Sequence, residues 1–156
     1  MHKLILLLSV CLLPLAALGQ RKVGEAATIK NVEIKGEPMP GGKVTAVVKV
    51  AIEHSYHTHS NKPSEPQFIP TVLKLESAPG VRVGAVTYPQ GKTEKIAGLD
   101  KPLSIYEGEV EISVALGLTA QAKLPLKIPA SLRYQACQGA QCYAPQNLKF
   151  EIQVGK

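Results

Sequence analysis

Apolar and polar residues alternate with a period of two through most of this chain. In residues 27–35 and 43–53, valine, isoleucine and alanine alternate with lysine, threonine and glutamate. Alternation rich in β-branched residues and bounded by glycine or proline is typical of half-buried β-strands. The same pattern predicts strands at 71–76, 81–88, 107–116, 123–136 and 147–154. No segment carries a 3.6-residue apolar stripe long enough to predict a helix.

Glycine and proline clusters separate these segments, for example at 38–42 and 78–80. Short antiparallel strands joined by such turns predict an all-β fold, a two-sheet antiparallel β-sandwich. Two connections, 54–70 and 89–102, are long and are predicted to be irregular loops. Long loops in a compact domain are often functional.

The first 19 residues have the pattern of a secretory signal peptide. A polar start is followed by an apolar run at 4–15 and then by small residues at 16–19. The run is too short for a stable transmembrane helix, which needs about 20 apolar residues. We therefore expect residues 1–19 to be removed and residues 20–156 to form one exported domain, in a compartment where disulfides persist.

The net charge of +6 does not indicate nucleic-acid binding. The lysines are scattered along the predicted strands, whereas nucleic-acid-binding proteins usually carry a basic patch with aromatic residues. A solvated surface is the simpler interpretation of the charge.

Two cysteines remain once the predicted leader, which contains Cys11, is set aside. Cys137 and Cys142 are separated by four residues, in or beside the turn between the last two predicted strands. Closing so short a loop would stabilise the fold by only about 2 kcal/mol, against about 4.7 kcal/mol for a loop of about 100 residues. The spacing alone leaves two interpretations open: a structural disulfide that fixes a turn, or a redox pair that opens and closes.

Three histidines lie in one predicted loop. On a strand, His57 and His59 would share a face while His54 would point the other way. Two histidines and a nearby thiolate could bind Zn²⁺ or copper. The spacing is not a specific metal signature, so the favoured interpretation is a polar strand end beside the cysteines, with no bound metal or other cofactor.

Several motifs resemble the N-terminal periplasmic domain of the thiol:disulfide interchange protein DsbD, the disulfide bond corrector family. The cysteine motif is the most specific of them, and the others support it in the same order along the chain. The matching segments are Tyr134-Gln135-Ala136-Cys137, Cys142-Tyr143-Ala144-Pro145, the His57–Pro63 segment, Phe68-Ile69-Pro70-Thr71, Tyr88-Pro89-Gln90-Gly91-Lys92 and Ser104-Ile105-Tyr106-Glu107-Gly108.

This resemblance implies an immunoglobulin-like sandwich and a periplasmic electron relay. The relay would take electrons from a thioredoxin-like domain or protein and pass them to oxidised periplasmic proteins, such as disulfide isomerases or cytochrome c maturation factors. Carried over by position, Cys142 would form the mixed disulfide and Cys137 would resolve it. The flanking residues would be His57, His59, Tyr134, Gln135, Tyr143 and Pro145.

The chain departs from the family pattern in three respects. It has no transmembrane segments or thioredoxin-like domain of its own, so we expect a stand-alone monomer supplied with electrons by separate proteins. The predicted cap loop at 94–101 lacks an aromatic residue, so Ile96 or Leu99 would cover the cysteines. His57 and His59 stand where the best-known member has tyrosines, and an imidazole there would favour the thiolate. The alternatives to protein-disulfide reductase activity are a non-catalytic binding module and a metal-binding protein.

Overall fold

A computed structural model describes residues 24–155, and within that range every regular element is a β-strand. The predicted signal peptide at 1–19 lies outside the described residues. In the described range no helix has the length and apolar character needed to cross a bilayer. The strands are β1 (Ala27–Lys35), β2 (Lys43–Ile52), β3 (His57–His59), β4 (Val72–Leu75), β5 (Val81–Thr87), β6 (Lys92–Glu94), β7 (Leu103–Tyr106), β8 (Glu109–Leu118), β9 (Leu126–Tyr134), β10 (Ala136–Gln138), β11 (Gln141–Cys142) and β12 (Gln146–Val154).

The hydrophobic core lies between two antiparallel sheets. One has the strand order β1-β2-β8-β5 and the other the order β12-β9-β4. Alternate residues of β2, β8 and β9 point inward, and these include the fully buried Val48, Ile112 and Ile128. Burying each such side chain stabilises the fold by about 1.5–3 kcal/mol. The prediction of an all-β, immunoglobulin-like sandwich is therefore confirmed.

A third sheet, which we call the site sheet, extends the second layer at one end. Its strand order is β11-β10-β3-β7-β6. The chain passes directly from β9 into β10 through Gln135. Tyr134 pairs with Gln146, and the next paired position joins Ala136 to Tyr143 through a backbone hydrogen bond of 2.9 Å. One residue, Gln135, therefore opposes two, Ala144 and Pro145, which is a β-bulge that re-aims the strands beyond it.

The seven predicted strands are all present, with ends shifted by at most a few residues. The two connections predicted to be irregular are not wholly so, because 54–70 contains β3 and 89–102 contains β6. Each of these strands has only three residues. Both strands are extended because they pair with neighbours, β3 with β7 and β10, and β6 with β7. A three-residue segment is too short to show a period-two pattern in the sequence.

Candidate functional site

Cys137 and Cys142 form a disulfide across a short hairpin. The two residues are direct partners of β10 and β11, and their Cα atoms are 4.0 Å apart. The Gln138–Gln141 pair comes next, so only Gly139 and Ala140 make the turn. Gly139 has φ +54°, a conformation that glycine adopts without the penalty imposed by a Cβ atom. The cysteines thus lie beside the turn, as the sequence predicted.

The two cysteines differ sharply in exposure. Cys137 is fully buried, whereas Cys142 is exposed at the edge of the site sheet. β10 lies between β11 and β3, but β11 has a neighbour on one side only. The position of each strand in the sheet therefore leaves one cysteine residue accessible to a partner and covers the other.

His59 contacts both sulfur atoms. Its Nε2 lies 3.7 Å from Sγ of Cys137 and 3.9 Å from Sγ of Cys142. The imidazole is fully buried and stacks on Phe68, with ring centroids 4.3 Å apart and planes inclined by 19°. Burial, together with the positive charge that His57 can carry, lowers the pKa of His59 from 6.5 to about 4. At neutral pH the histidine at the sulfurs is therefore uncharged.

His57 is the backbone partner of Cys137 across β3 and β10. It lies on the same face as His59, as predicted, with the two rings edge to face and their centroids 6.2 Å apart. Burial lowers the pKa of His57, an effect that Glu107 opposes. Nε2 of His57 and Nδ1 of His59 are buried without a hydrogen-bond partner among residues 24–155. The third histidine, His54, is exposed.

The tyrosine and glutamine residues of the cysteine motif have mainly structural contacts. Tyr134 is buried in the sandwich core, and its hydroxyl accepts a hydrogen bond from the backbone N–H of Ala27 at 3.3 Å. Nε2 of Gln135 donates to the carbonyl oxygen of Tyr143 at 2.9 Å, across the bulge. Pro145 is exposed in the same bulge. Of these residues, Tyr134 lies furthest inside the fold, within the main core.

Tyr143 packs at the entrance to the cysteine hairpin. Its ring centroid is 6.0 Å from that of Tyr56, and its Cβ lies close to Gly24. A Cβ atom on Gly24 would be only 2.9 Å from the Cβ of Tyr143, and Gly24 has φ +90°. Glycine is therefore required where the start of the described chain crosses the site.

The predicted cap loop lies beside the histidines. Ile96 and His57 both line an open cleft of about 590 Å³ next to the site sheet. The backbone N–H of Leu99 donates to the carbonyl oxygen of Ile96 at 3.1 Å, which closes a turn. A Cβ atom on Gly98 would lie 3.9 Å from that of Ala140, so the loop approaches the cysteine turn. Ile96 and Leu99 are both partly buried.

Phe68 is the site residue that sequence reasoning did not select. It belongs to the 54–70 connection and provides the aromatic cover that the cap loop lacks, over the imidazole of His59. Glu65 and Lys101 join this connection to the end of the cap loop with an ion pair of 2.8 Å. An aromatic residue in a long loop that also carries histidines is the signal that could have identified it.

The arrangement has two chemical capacities. A disulfide with one exposed cysteine permits attack by an external thiolate, because exchange requires an accessible sulfur. Three potential metal ligands, His59, Cys137 and Cys142, also lie together, with their ligand atoms within 4.8 Å of one another.

Comparison with known proteins identifies a family and a shared fold. Residues 26–153 match the family described as thiol:disulfide interchange protein DsbD, N-terminal. No protein with a curated description matches the chain. The N-terminal periplasmic domain of ScsB from Proteus mirabilis is similar in structure, with a TM-score of 0.57 and 13% identity, over 85% of this chain and 48% of that chain. The reduced N-terminal domain of DsbD from Neisseria meningitidis has a TM-score of 0.47 and 21% identity, over 80% of this chain and 86% of that chain.

Proposed function

This chain belongs to the family of DsbD N-terminal domains, and from that premise we propose that it is a thiol–disulfide exchange module with Cys137 and Cys142 as its redox pair. The activity is of the protein-disulfide reductase type. The domain receives electrons from a thioredoxin-like domain or protein and passes them to oxidised proteins of the periplasm. The observation that carries this proposal is the disulfide with one exposed and one buried cysteine.

The difference in exposure supports separate roles for the two cysteines. A donor thiolate attacks Sγ of the exposed Cys142, and the bond to Cys137 breaks with the buried sulfur leaving as a thiolate. The second thiol of the donor then attacks the donor sulfur that is bonded to Cys142. This forms the donor disulfide and releases Cys142 as a thiol. Two electrons and two protons pass from the donor dithiol to the domain, which becomes a dithiol while the donor becomes a disulfide.

Electron transfer to an acceptor reverses these roles. The thiolate of Cys142 attacks the acceptor disulfide and forms a second mixed disulfide, which Cys137 then resolves. Suitable acceptors are oxidised periplasmic proteins such as disulfide isomerases and cytochrome c maturation factors. We assign docking to two features that border the site sheet: the edge strand that carries Cys142, and the cap loop with the cleft lined by Ile96 and His57.

His59 supports both steps by contacting both sulfurs. As a neutral imidazole with its proton on Nε2, it donates a hydrogen bond to whichever sulfur becomes a thiolate. A hydrogen bond to a charged group contributes about 1.5–3 kcal/mol. His59 thus stabilises the leaving or attacking thiolate without carrying a positive charge. This role replaces the earlier expectation, in which His57 and His59 were treated alike.

Trapping with a thioredoxin-like donor tests the assignment. The donor is a thioredoxin variant that keeps only its attacking cysteine, activated beforehand as a mixed disulfide with a small aromatic thiol that leaves when the remaining cysteine of this chain attacks. We expect Cys137→Ser to accumulate a stable mixed disulfide through Cys142. The matched variant Cys142→Ser should react far more slowly, because its remaining thiol is buried. The reverse preference would overturn the role assignment, and lack of reaction in both variants would favour a structural disulfide in a non-catalytic binding module.

A further inference from the structure

Three potential metal-ligand atoms meet on one face of the site sheet. They are the two cysteine sulfurs and Nε2 of His59. The backbone registers that bring them together join β3 to β10 and β10 to β11, so paired strands carry all three residues. The stacked ring of Phe68 further restricts the imidazole. The ligand atoms are therefore held by the fold and are not brought together by chance on mobile loops.

The two nitrogen–sulfur distances are close to those of a tetrahedral zinc site. With Zn–S bonds of about 2.3 Å and Zn–N bonds of about 2.0–2.1 Å, tetrahedral angles place a nitrogen about 3.6 Å from each sulfur and the two sulfurs about 3.8 Å apart. The observed Nε2–Sγ distances are 3.7 Å and 3.9 Å. In the oxidised form, both nitrogen–sulfur distances are therefore within about 0.3 Å of the zinc value. The two sulfurs are bonded to each other in that form, so only the dithiol form can bind the ion.

We propose that the reduced protein binds one Zn²⁺ ion through Cys137, Cys142 and His59, and that the bound ion blocks thiol–disulfide exchange. Three protein ligands leave a fourth tetrahedral position for water or for a partner's side chain, as in other zinc sites with three protein ligands, and Cys142 is an exposed residue. Exchange is blocked because both sulfurs donate electron pairs to the ion.

Charge balance favours Zn²⁺ over Cu⁺. Two thiolates and a neutral imidazole carry a charge of −2, which Zn²⁺ neutralises and Cu⁺ does not. Since Cys137 and His59 are fully buried, a neutral site avoids an uncompensated buried charge. The reaction is balanced: the disulfide takes two electrons and two protons from a dithiol or phosphine reductant, and Zn²⁺ binding then releases the two thiol protons.

Zinc competition experiments on the purified protein test this inference. The reduced protein is prepared with a phosphine reductant, so the result does not depend on a protein donor or on the exchange function proposed above. We expect binding of one Zn²⁺ per chain in competition with a chromophoric chelator, with release of about two protons near neutral pH. The oxidised protein should not compete.

Matched histidine variants identify the nitrogen ligand. His59→Gln should weaken zinc binding by more than about 100-fold, because even loss of an outer-shell partner costs 10–100-fold. His57→Gln is the control, a buried histidine on the same face outside the ligand cluster, and should change affinity by only a few-fold. If His59→Gln does not fold, Co²⁺ substitution of the wild-type protein serves instead. A tetrahedral Co²⁺ spectrum with thiolate charge transfer is expected.

Three results would overturn the inference: equal zinc affinity of the oxidised and reduced proteins, wild-type affinity in His59→Gln, or binding of Cu⁺ without Zn²⁺. None of these results affects the exchange proposal if Cys137→Ser still forms the mixed disulfide with thioredoxin when a chelator is present. Conversely, zinc binding with a failed trap would remove the exchange function and retain the metal site.

Discussion

His59 should make the oxidised protein lose stability as the pH falls. Burial opposes protonation of this imidazole and holds its pKa at about 4 in the folded protein, against 6.5 for an unburied histidine. Because the folded-state pKa is the lower one, the unfolded chain binds more protons between these values. The stabilising effect of a neutral His59 is complete above pH 6.5 and is lost as the pH falls towards 4.

The size of the effect follows from the two pKa values. The linked free energy of unfolding lost to His59 protonation is about 2 kcal/mol at pH 5 and about 3 kcal/mol at pH 4, relative to pH 7.5. That is a large part of the 5–15 kcal/mol that typically stabilises a domain. Protonation of His57 also lowers the stability of the fold as the pH falls, because burial lowers the pKa of His57 as well. The effect of His59 is therefore measured as a difference between two proteins.

Urea denaturation, followed by far-UV circular dichroism between pH 7.5 and 4.5 with the disulfide intact, provides the assay. The stability difference between wild type and His59→Gln should shift by about 2 kcal/mol between pH 7.5 and pH 5, in favour of the variant at the lower pH. His54→Gln, at an exposed histidine, is the control for the substitution itself. Parallel curves for wild type and His59→Gln would refute the reasoning that His59 is buried and neutral.

Two further predictions concern the residues around the hairpin. Phe68→Ala removes the ring that covers the imidazole of His59, so it should speed reduction of the disulfide by small thiols and lower the stability of the fold by about 0.5–1.5 kcal/mol or more. Phe150→Ala alters the sandwich core instead and should destabilise the protein without speeding reduction. Equal reduction rates in the two variants would contradict the covering role. Gly24→Ala should destabilise the fold by about 1–2 kcal/mol through its positive φ alone, and by more because the added Cβ would meet Tyr143. Gly41→Ala is the control for the backbone effect, because Gly41 has φ +80° and a Cβ added there would have no neighbouring atom within 4 Å. Equal losses of stability in the two variants would show that the clash with Tyr143 is relieved at no cost.

The sequence predicted the sandwich strands because those strands alternate. β2 and β8 each have ten residues, enough for several inward and outward positions. β3, β6 and β11 have two or three residues, and so few positions cannot establish a period. The site sheet is built mainly from such strands, so its existence follows from pairing between distant segments and not from local pattern.

The site could be predicted in part for the same reason. The cysteine motif and the shared face of His57 and His59 are local features. The family match confirms the resemblance that the motif indicated, and the structure places the two histidines side by side on β3. Which histidine reaches the sulfurs depends on the register between β3 and β10: His57 is opposite Cys137 in the backbone, yet Nε2 of His59 reaches both sulfurs. The cover from Phe68 likewise depends on how a connection folds back over the sheet, which periodicity does not report.

The reduction potential of the Cys137–Cys142 pair tests the central claim most directly. The purified protein is equilibrated, with a chelator present, in dithiol buffers of known potential. The free thiols are then alkylated, and the number of alkylated cysteines gives the reduced fraction. The exchange account predicts a potential more oxidising than about −300 mV, within the range that thioredoxin-like proteins can reach. A potential below that value would place the pair among structural disulfides and contradict the account.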